Sequence, residues 1–176
     1  MRQPFNSKHS AVMGTDRRST AAGTHDYAYR FMSAINLFTA DQQQQIIQAI
    51  RQAELNTSGE IRVHIENECT AQNVLDRAVE VFSQLGMHQT IQKNGVLFYL
   101  AVGSRKFAVL GDKGIDQVVP TNFWEDTKEI MRDHFRREHF TEGLCRAIEQ
   151  AGNQLKQYFP RQSDDTNELP DELSIQ

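Results

Sequence analysis

Apolar positions along the chain follow two different periods. Ile46, Ile47, Ile50 and Ala53 recur at the three-to-four spacing of a helix face. Thr39 stands ahead of them with Gln42 three residues on, as in a capping box, and Asn56-Thr57-Ser58-Gly59 closes the run. The period then changes to two. Ile61, Val63 and Ile65 alternate with Glu60, Arg62, His64 and Glu66, which predicts a strand with one buried face. Asn73 can cap a second helix with Leu75, Ala78, Val79, Phe82 and Leu85 inward and Gly86 as its stop. From Gly95 to Val102 the chain is continuously apolar, the pattern of a central strand covered on both faces. Gly103-Ser104 predicts a two-residue hairpin turn, and Arg105 to Leu110 returns as an antiparallel strand that stops at Gly111-Asp112-Lys113-Gly114.

Two more helical patterns follow. The first runs from about Thr121 to Arg137, with Phe123, Ile130, Met131 and Phe135 inward. The second runs from about Thr141 to Tyr158, with Leu144, Ala147, Ile148, Ala151 and Leu155 inward and Pro160 past its end. A strand–helix–strand unit predicts a parallel crossover, to which the hairpin strand adds antiparallel. The expected fold class is α/β: a three-layer α/β/α sandwich around a small mixed sheet.

Both ends differ from this middle. Residues 1–31 are polar, rich in Ser, Thr, Gly and Arg, and without periodicity, which reads as a disordered N-terminal extension. Met32 directly precedes the first helical pattern and is read as the biological start. The domain spans residues 32–160. Residues 161–176, with Asp164, Asp165, Glu168, Asp171 and Glu172, read as an acidic flexible tail.

The 176 residues fit one domain, and 39% hydrophobic with 24% charged is ordinary for a globular protein. A net charge of -4 excludes the usual nucleic-acid binder, which needs a surplus of Lys and Arg on one face. The longest apolar run, Val96 to Val102, is too short for membrane insertion, and no secretory signal opens the chain. Cys69 and Cys145 form no redox or metal spacing and read as free thiols in a reducing, cytoplasmic setting.

The motifs of the common enzyme classes are missing. There is no phosphate-binding loop, dinucleotide fingerprint, nucleophile elbow or zinc-protease His pair. His134 and His139 are five apart on a helix pattern and should point apart. His64 falls on the polar side of its strand. Glu66 and Glu68 leave that strand on an exposed edge without a partner base. Trp124 either faces the core or anchors a partner.

One grouping carries more chemistry. An antiparallel third strand ends where the parallel strands begin. Gly111, Asp112, Lys113, Gly114 and Asp116 should therefore lie near Thr57, Ser58 and Glu60, and near Lys93 and Asn94. Oxygen groups from separate loops at one sheet edge can bind a hard cation such as calcium. The same Gly-Asp-Lys-Gly sequence is also ordinary turn chemistry, and Lys93 and Lys113 would repel a cation.

Thr57-Ser58-Gly59-Glu60-Ile61-Arg62-Val63 and Asn94-Gly95-Val96-Leu97-Phe98-Tyr99-Leu100, with the hairpin into Phe107-Ala108-Val109-Leu110-Gly111-Asp112-Lys113-Gly114-Ile115 and with Phe140-Thr141-Glu142-Gly143-Leu144, together resemble the TPM domain family. The resemblance covers most of the chain from Phe38 to Pro160. It looks most like the short bacterial branch, in which Phe159-Pro160 precedes an acidic Asn167-Glu168-Leu169-Pro170 tail. The resemblance implies an α/β/α sandwich. It also implies acid phosphatase activity in some members, calcium binding in some, and accessory roles in membrane-protein maintenance in others. For calcium it leaves Asn94, Asp112 and Asp116, since Lys93 stands where longer members carry an acidic residue. The expected function is a non-catalytic accessory or binding module acting on protein partners, in stress response or membrane-protein maintenance. The alternative is a weak, divalent-cation-dependent acid phosphatase.

Overall fold

The computed structural model describes residues 10–12, 33–120 and 122–176. The expected start at Met32 lies outside them. The elements, in order, are strand β1 (Ser10–Val12), helix α1 (Ala40–Glu54), β2 (Glu60–Glu66), α2 (Val74–Gln84), β3 (Gly95–Ala101), β4 (Lys106–Gly111), the single-turn α3 (Lys113–Asp116), α4 (Phe123–Phe135), α5 (Phe140–Tyr158) and β5 (Ser174–Ile175).

The sheet runs in the order β1-β4-β3-β2-β5. β2 and β3 are parallel, with Ile61 opposite Val96 and Ile65 opposite Leu100, and β4 returns antiparallel to β3. The expected mixed sheet is the observed one. β3 sits at its centre and is buried along its whole length. Val96, Phe98 and Leu100 enter a core shared with α1, α4 and α5. Leu97, Tyr99 and Ala101 enter a second core shared with α2. Continuous apolarity of β3 thus corresponds to burial on both faces.

Local chemistry sets the helix ends. Thr39 and Gln42 form the predicted reciprocal cap on α1, at 3.3 Å and 2.9 Å. Asn73 Oδ1 accepts from Leu75 N at 3.0 Å, and Gly86 leaves α2 with a φ of 69°. The inner stripe of α2 is Val74, Arg77, Ala78, Val81 and Phe82, one position earlier than the apolar pattern predicts. The rotation buries Arg77 rather than Val79, because Arg77 has a buried partner on β2.

Four features depart from expectation. The hairpin between β3 and β4 takes four residues, 102–105, not two. Val102 N and Gly103 N still bond to Glu66 O and Asn67 O, so the chain cannot turn until Ser104, and Arg105 closes the turn at a φ of 51°. A Cβ on Gly103 would lie 2.9 Å from the backbone Asn67 O, which cannot swing aside as the nearby Glu68 carboxylate can, and this favours glycine there. Within the extension expected to be disordered, Ser10–Val12 pairs antiparallel with β4. β2 is buried on both faces rather than one. Finally, the tail expected to be flexible runs along β2 and ends as β5, with Ser174 opposite His64 and Ile175 opposite Ile65.

α1 and α5 approach closely at a glycine. A Cβ on Gly152 would stand 2.6 Å from Ala53 Cβ and 3.0 Å from Ala53 Cα. Backbone cannot yield as a side chain can, so the steric cost exceeds the gain in helix propensity. Gly152→Ala should destabilise the domain by about 1–3 kcal/mol in urea unfolding, as overpacking does.

Candidate functional site

The loops at the starts of β2 and β3 and the end of β4 meet as predicted. Asn94 is fully buried. Its Nδ2 donates to Ser58 O at 2.8 Å, and its own carbonyl accepts from Glu60 N. Asp112 N donates to Gly95 O at 2.8 Å, which sets Asp112 beside Asn94 across the β3–β4 ladder. Asp112 Oδ1 caps α3 through Lys113 N at 2.7 Å. Gly114 N then bonds to Lys93 O, and a Cβ there would meet Gln92 O at 2.4 Å.

Two oxygens at this edge are buried without a hydrogen-bond partner: Asn94 Oδ1 and Asp112 Oδ2. Leaving such atoms unsatisfied is costly, so each marks a place where a ligand can supply what the fold does not. Thr90 Oγ1, in the loop leading to Asn94, is in the same condition. The sequence gives no sign of it. Lys93, whose charge counted against a cation, sends its ammonium to His88 O at 2.6 Å.

Asp116 is held differently. Its Oδ1 accepts from Trp124 Nε1 at 3.0 Å, tying α3 to α4. Burial pushes the Asp116 carboxyl above its ordinary range, against the Trp124 hydrogen bond and with help from the Asp112 charge. Trp124 is a core residue. A Cβ on Gly111 would lie 2.2 Å from Trp124 Cζ2, so the indole packs directly against the β4 backbone. Glu60 turns away from the edge: its carboxylate accepts from Glu168 N at 3.0 Å and Leu169 N at 3.1 Å.

A hard cation fits part of this arrangement. Asn94 Oδ1 and Asp112 Oδ2 are the right kind of donor, and Asp116 keeps one oxygen outside the Trp124 bond. Among the described residues no group of three or more His, Cys, Asp or Glu side chains could hold a metal, so the protein's own donors would be few.

A second polar cluster lies where the sequence predicted an exposed strand face. Arg77 Nε and Nη2 grip Glu66 at 2.9 Å and 2.7 Å, and Tyr99 Oη donates to the same carboxylate. His64 Nε2 stands 3.6 Å from Glu66, with its ring stacked over Tyr99. Burial alone would raise the Glu66 carboxyl, yet the Arg77 and Tyr99 hydrogen bonds outweigh it and hold the group below its usual range. Burial lowers His64, against the attraction of Glu66, and so favours the neutral imidazole. Glu66 is therefore neither exposed nor free of partners, contrary to expectation. The alternation Glu60, Arg62, His64, Glu66 was visible in sequence, but Arg77 and Tyr99 sit in patterns read as apolar. Glu68, by contrast, accepts from Ser104 Oγ at the rim. His134 and His139 do not point apart. α4 ends between them, and both lie within 4 Å of Glu142, at 3.7 Å and 3.8 Å.

The TPM domain family model matches residues 32–154. The chain belongs to the TPM domain family. The BA42 protein of the psychrophilic bacterium Bizionia argentinensis, solved by NMR, is 45% identical with a TM-score of 0.74, over 79% of this chain and 95% of that one. The N-terminal domain of a protein from P. gingivalis is 19% identical with a TM-score of 0.56, over 70% of this chain and 79% of that one, and shares the fold. No curated protein matches. Among the described residues no helix is long and apolar enough to cross a membrane.

Two predictions come from the buried carboxylates. Removing one partner of a buried ion pair strands the other, so Arg77→Ala should cost about 3–5 kcal/mol in denaturant unfolding. Arg77→Met paired with Glu66→Gln should cost clearly less. The second concerns Glu54, which accepts from Ile61 N at 2.7 Å. Burial pushes its carboxyl up to about 8, opposed by the Ile61 N–H and helped by Glu60 and Asp171. A raised folded-state value means that its contribution is full below the ordinary value of 4.5 and lost as pH rises to about 8. Glu54→Gln should therefore gain on the natural chain across that window, read by unfolding midpoints at a series of pH values.

Proposed function

We propose that this chain is a non-catalytic TPM-type binding module that takes a hard divalent cation, calcium, at the Asn94–Asp112 edge and serves as an accessory factor to protein partners. The observation that carries the reading is the pair of buried, unpartnered oxygens, Asn94 Oδ1 and Asp112 Oδ2, on loops tied together by backbone hydrogen bonds. Asp116 lies one helical turn from Asp112 and brings a second carboxylate to the same edge. Waters and backbone carbonyls would complete a coordination sphere that the side chains only begin, which favours a weak site.

The chemistry of the edge favours binding over turnover. Asn94, Asp112 and Asp116 have neither a hydroxyl nor a thiol nucleophile paired with a base among them. His64, the buried histidine among the described residues, belongs to the other cluster and faces Glu66 and Ser174. Membrane-protein maintenance is the setting that the family resemblance brings to this proposal, and stress response is the other setting proposed.

Calorimetric titration with calcium should show binding at millimolar concentration or below. Asp112→Ala and Asn94→Ala should each weaken it by about tenfold or more, roughly 1.4 kcal/mol. Amide shifts in an NMR titration should centre on residues 90–95 and 111–116. Silence in both measurements rejects the cation site. Hydrolysis of p-nitrophenyl phosphate that needs a divalent cation and disappears in Asp112→Ala would move the reading to the acid phosphatase alternative.

A further inference from the structure

The C-terminal tail is part of the fold, tied to β2 through Glu60 and Arg62, and it also walls a cleft. The cleft, of about 230 Å³, lies between the end of α1, the start of β2 and residues 161–171. Four carboxyl groups line it, Glu54 and Glu60 from the body of the domain and Asp165 and Asp171 from the tail. Against them stand the two guanidiniums of Arg51 and Arg161. Carboxylates crowded into a half-enclosed space must be answered by cations or by protons.

The cations near Glu54 are engaged elsewhere. Arg51 Nε donates to Asp171 at 2.8 Å, and Asp171 also accepts from Asn167 Nδ2 at 2.8 Å. Arg161 lies 3.7 Å from Asp165 and sends Nη1 to the main-chain oxygen of Glu54 at 3.2 Å. Arg62 faces Glu54, Asp171 and Glu172 and donates to Pro170 O. The Glu60 carboxylate takes the amides of Glu168 and Leu169. Glu54 itself is buried, accepts from Ile61 N at 2.7 Å, and has the Asp171 carboxylate within hydrogen-bonding reach across the cleft. Two carboxylates side by side repel, whereas a carboxylic acid donates to a carboxylate. Burial, with the Glu60 and Asp171 charges behind it and the Ile61 N–H against it, pushes Glu54 up to about 8. Glu54 is therefore the acid of the pair and Asp171, held by Arg51, the acceptor.

We propose that Glu54 and Asp171 form a proton-fastened clasp between the body of the domain and residues 165–171 of the tail, which weakens as pH rises and lets go in alkaline solution while the sheet stays folded. Once Glu54 ionises, the cleft holds one more negative charge, facing Asp165 and Asp171 on the tail and Glu60 on β2. Opening the tail returns Glu54 to water, where its ordinary value is 4.5. The clasp is thus strongest below 4.5 and lost as pH rises to about 8. Each pH unit in that window favours opening by up to about tenfold. The Asn94–Asp112 edge takes no part, so the inference stands whether or not a cation binds there.

The test is amide hydrogen exchange, read by NMR on the full chain in chelator and corrected for the intrinsic pH dependence of exchange. The probes are the Glu168 and Leu169 amides, compared with Phe98 at the centre of the sheet. In the natural chain the tail probes should open more easily than Phe98, and increasingly so between pH 4.5 and about 8. Burial raises Glu60 as well, so Glu60 adds to that rise in every variant. The difference between chains isolates Glu54: Glu54→Gln should flatten the rise by one proton, about tenfold per pH unit. Carboxyl resonances give a second reading that does not depend on that variant folding. Asp171→Asn should let Glu54 ionise at clearly lower pH, because the facing charge is gone. An equal slope in Glu54→Gln overturns the proposal. So does an unmoved Glu54 titration in Asp171→Asn, which leaves burial alone as the cause. Tail probes as protected as Phe98 at every pH mean that the tail opens only with the whole domain, and this overturns it too.

Discussion

One strand imposes the main constraint on this molecule: β2 carries Glu60, Arg62, His64 and Glu66 on a face that is fully buried. Charged groups cannot be left in a core without partners, so everything packed on that face must supply them. Arg77 answers Glu66 and sets the rotation of α2. Tyr99 adds its hydroxyl from the central strand. The C-terminal segment supplies the rest, with backbone amides for Glu60 and a carbonyl for Arg62. The opposite face of β2, with Ile61, Val63 and Ile65, needs only apolar contact and receives α1 and α5.

The same constraint separates the two ends of the strand into two kinds of surface. At the start of β2 and β3, loops converge on Asn94 and Asp112, and two oxygens stay unanswered within the fold. Along the β2 edge, Glu60 and Glu66 are answered, while Arg62 Nε and His64 Nε2 have no hydrogen-bond partner. An unanswered oxygen is suited to a small ion.

Much of this was legible in the residues alone. The capping box at Thr39, the period-two run from Ile61 to Ile65 and the apolar run of β3 predicted the layers, and the turn residues of Gly111 to Gly114 predicted which loops meet. Asn94, Asp112 and Asp116 stood in that convergence among other loop residues, and the family resemblance narrowed it to those three. What remained hidden shares one cause. The hairpin length depended on β3 staying bonded to Glu66 O and Asn67 O past its last residue. The register of α2 depended on Arg77 having a carboxylate across the gap. The engagement of Asp116 depended on where α4 placed Trp124.

The sequence by itself determined the elements, their order and the two apolar stripes, because those follow from periodicity and from caps a few residues long. Only the tertiary structure decided that the alternate face of β2 is inside and that the acidic tail is a strand rather than a free end. A polar alternation looks identical in sequence whether water or protein covers it. The difference lies in partners supplied by other elements, 11 residues away for Arg77 on Glu66, 33 for Tyr99 on Glu66 and 108 for Pro170 on Arg62. No local pattern encodes contacts of that range.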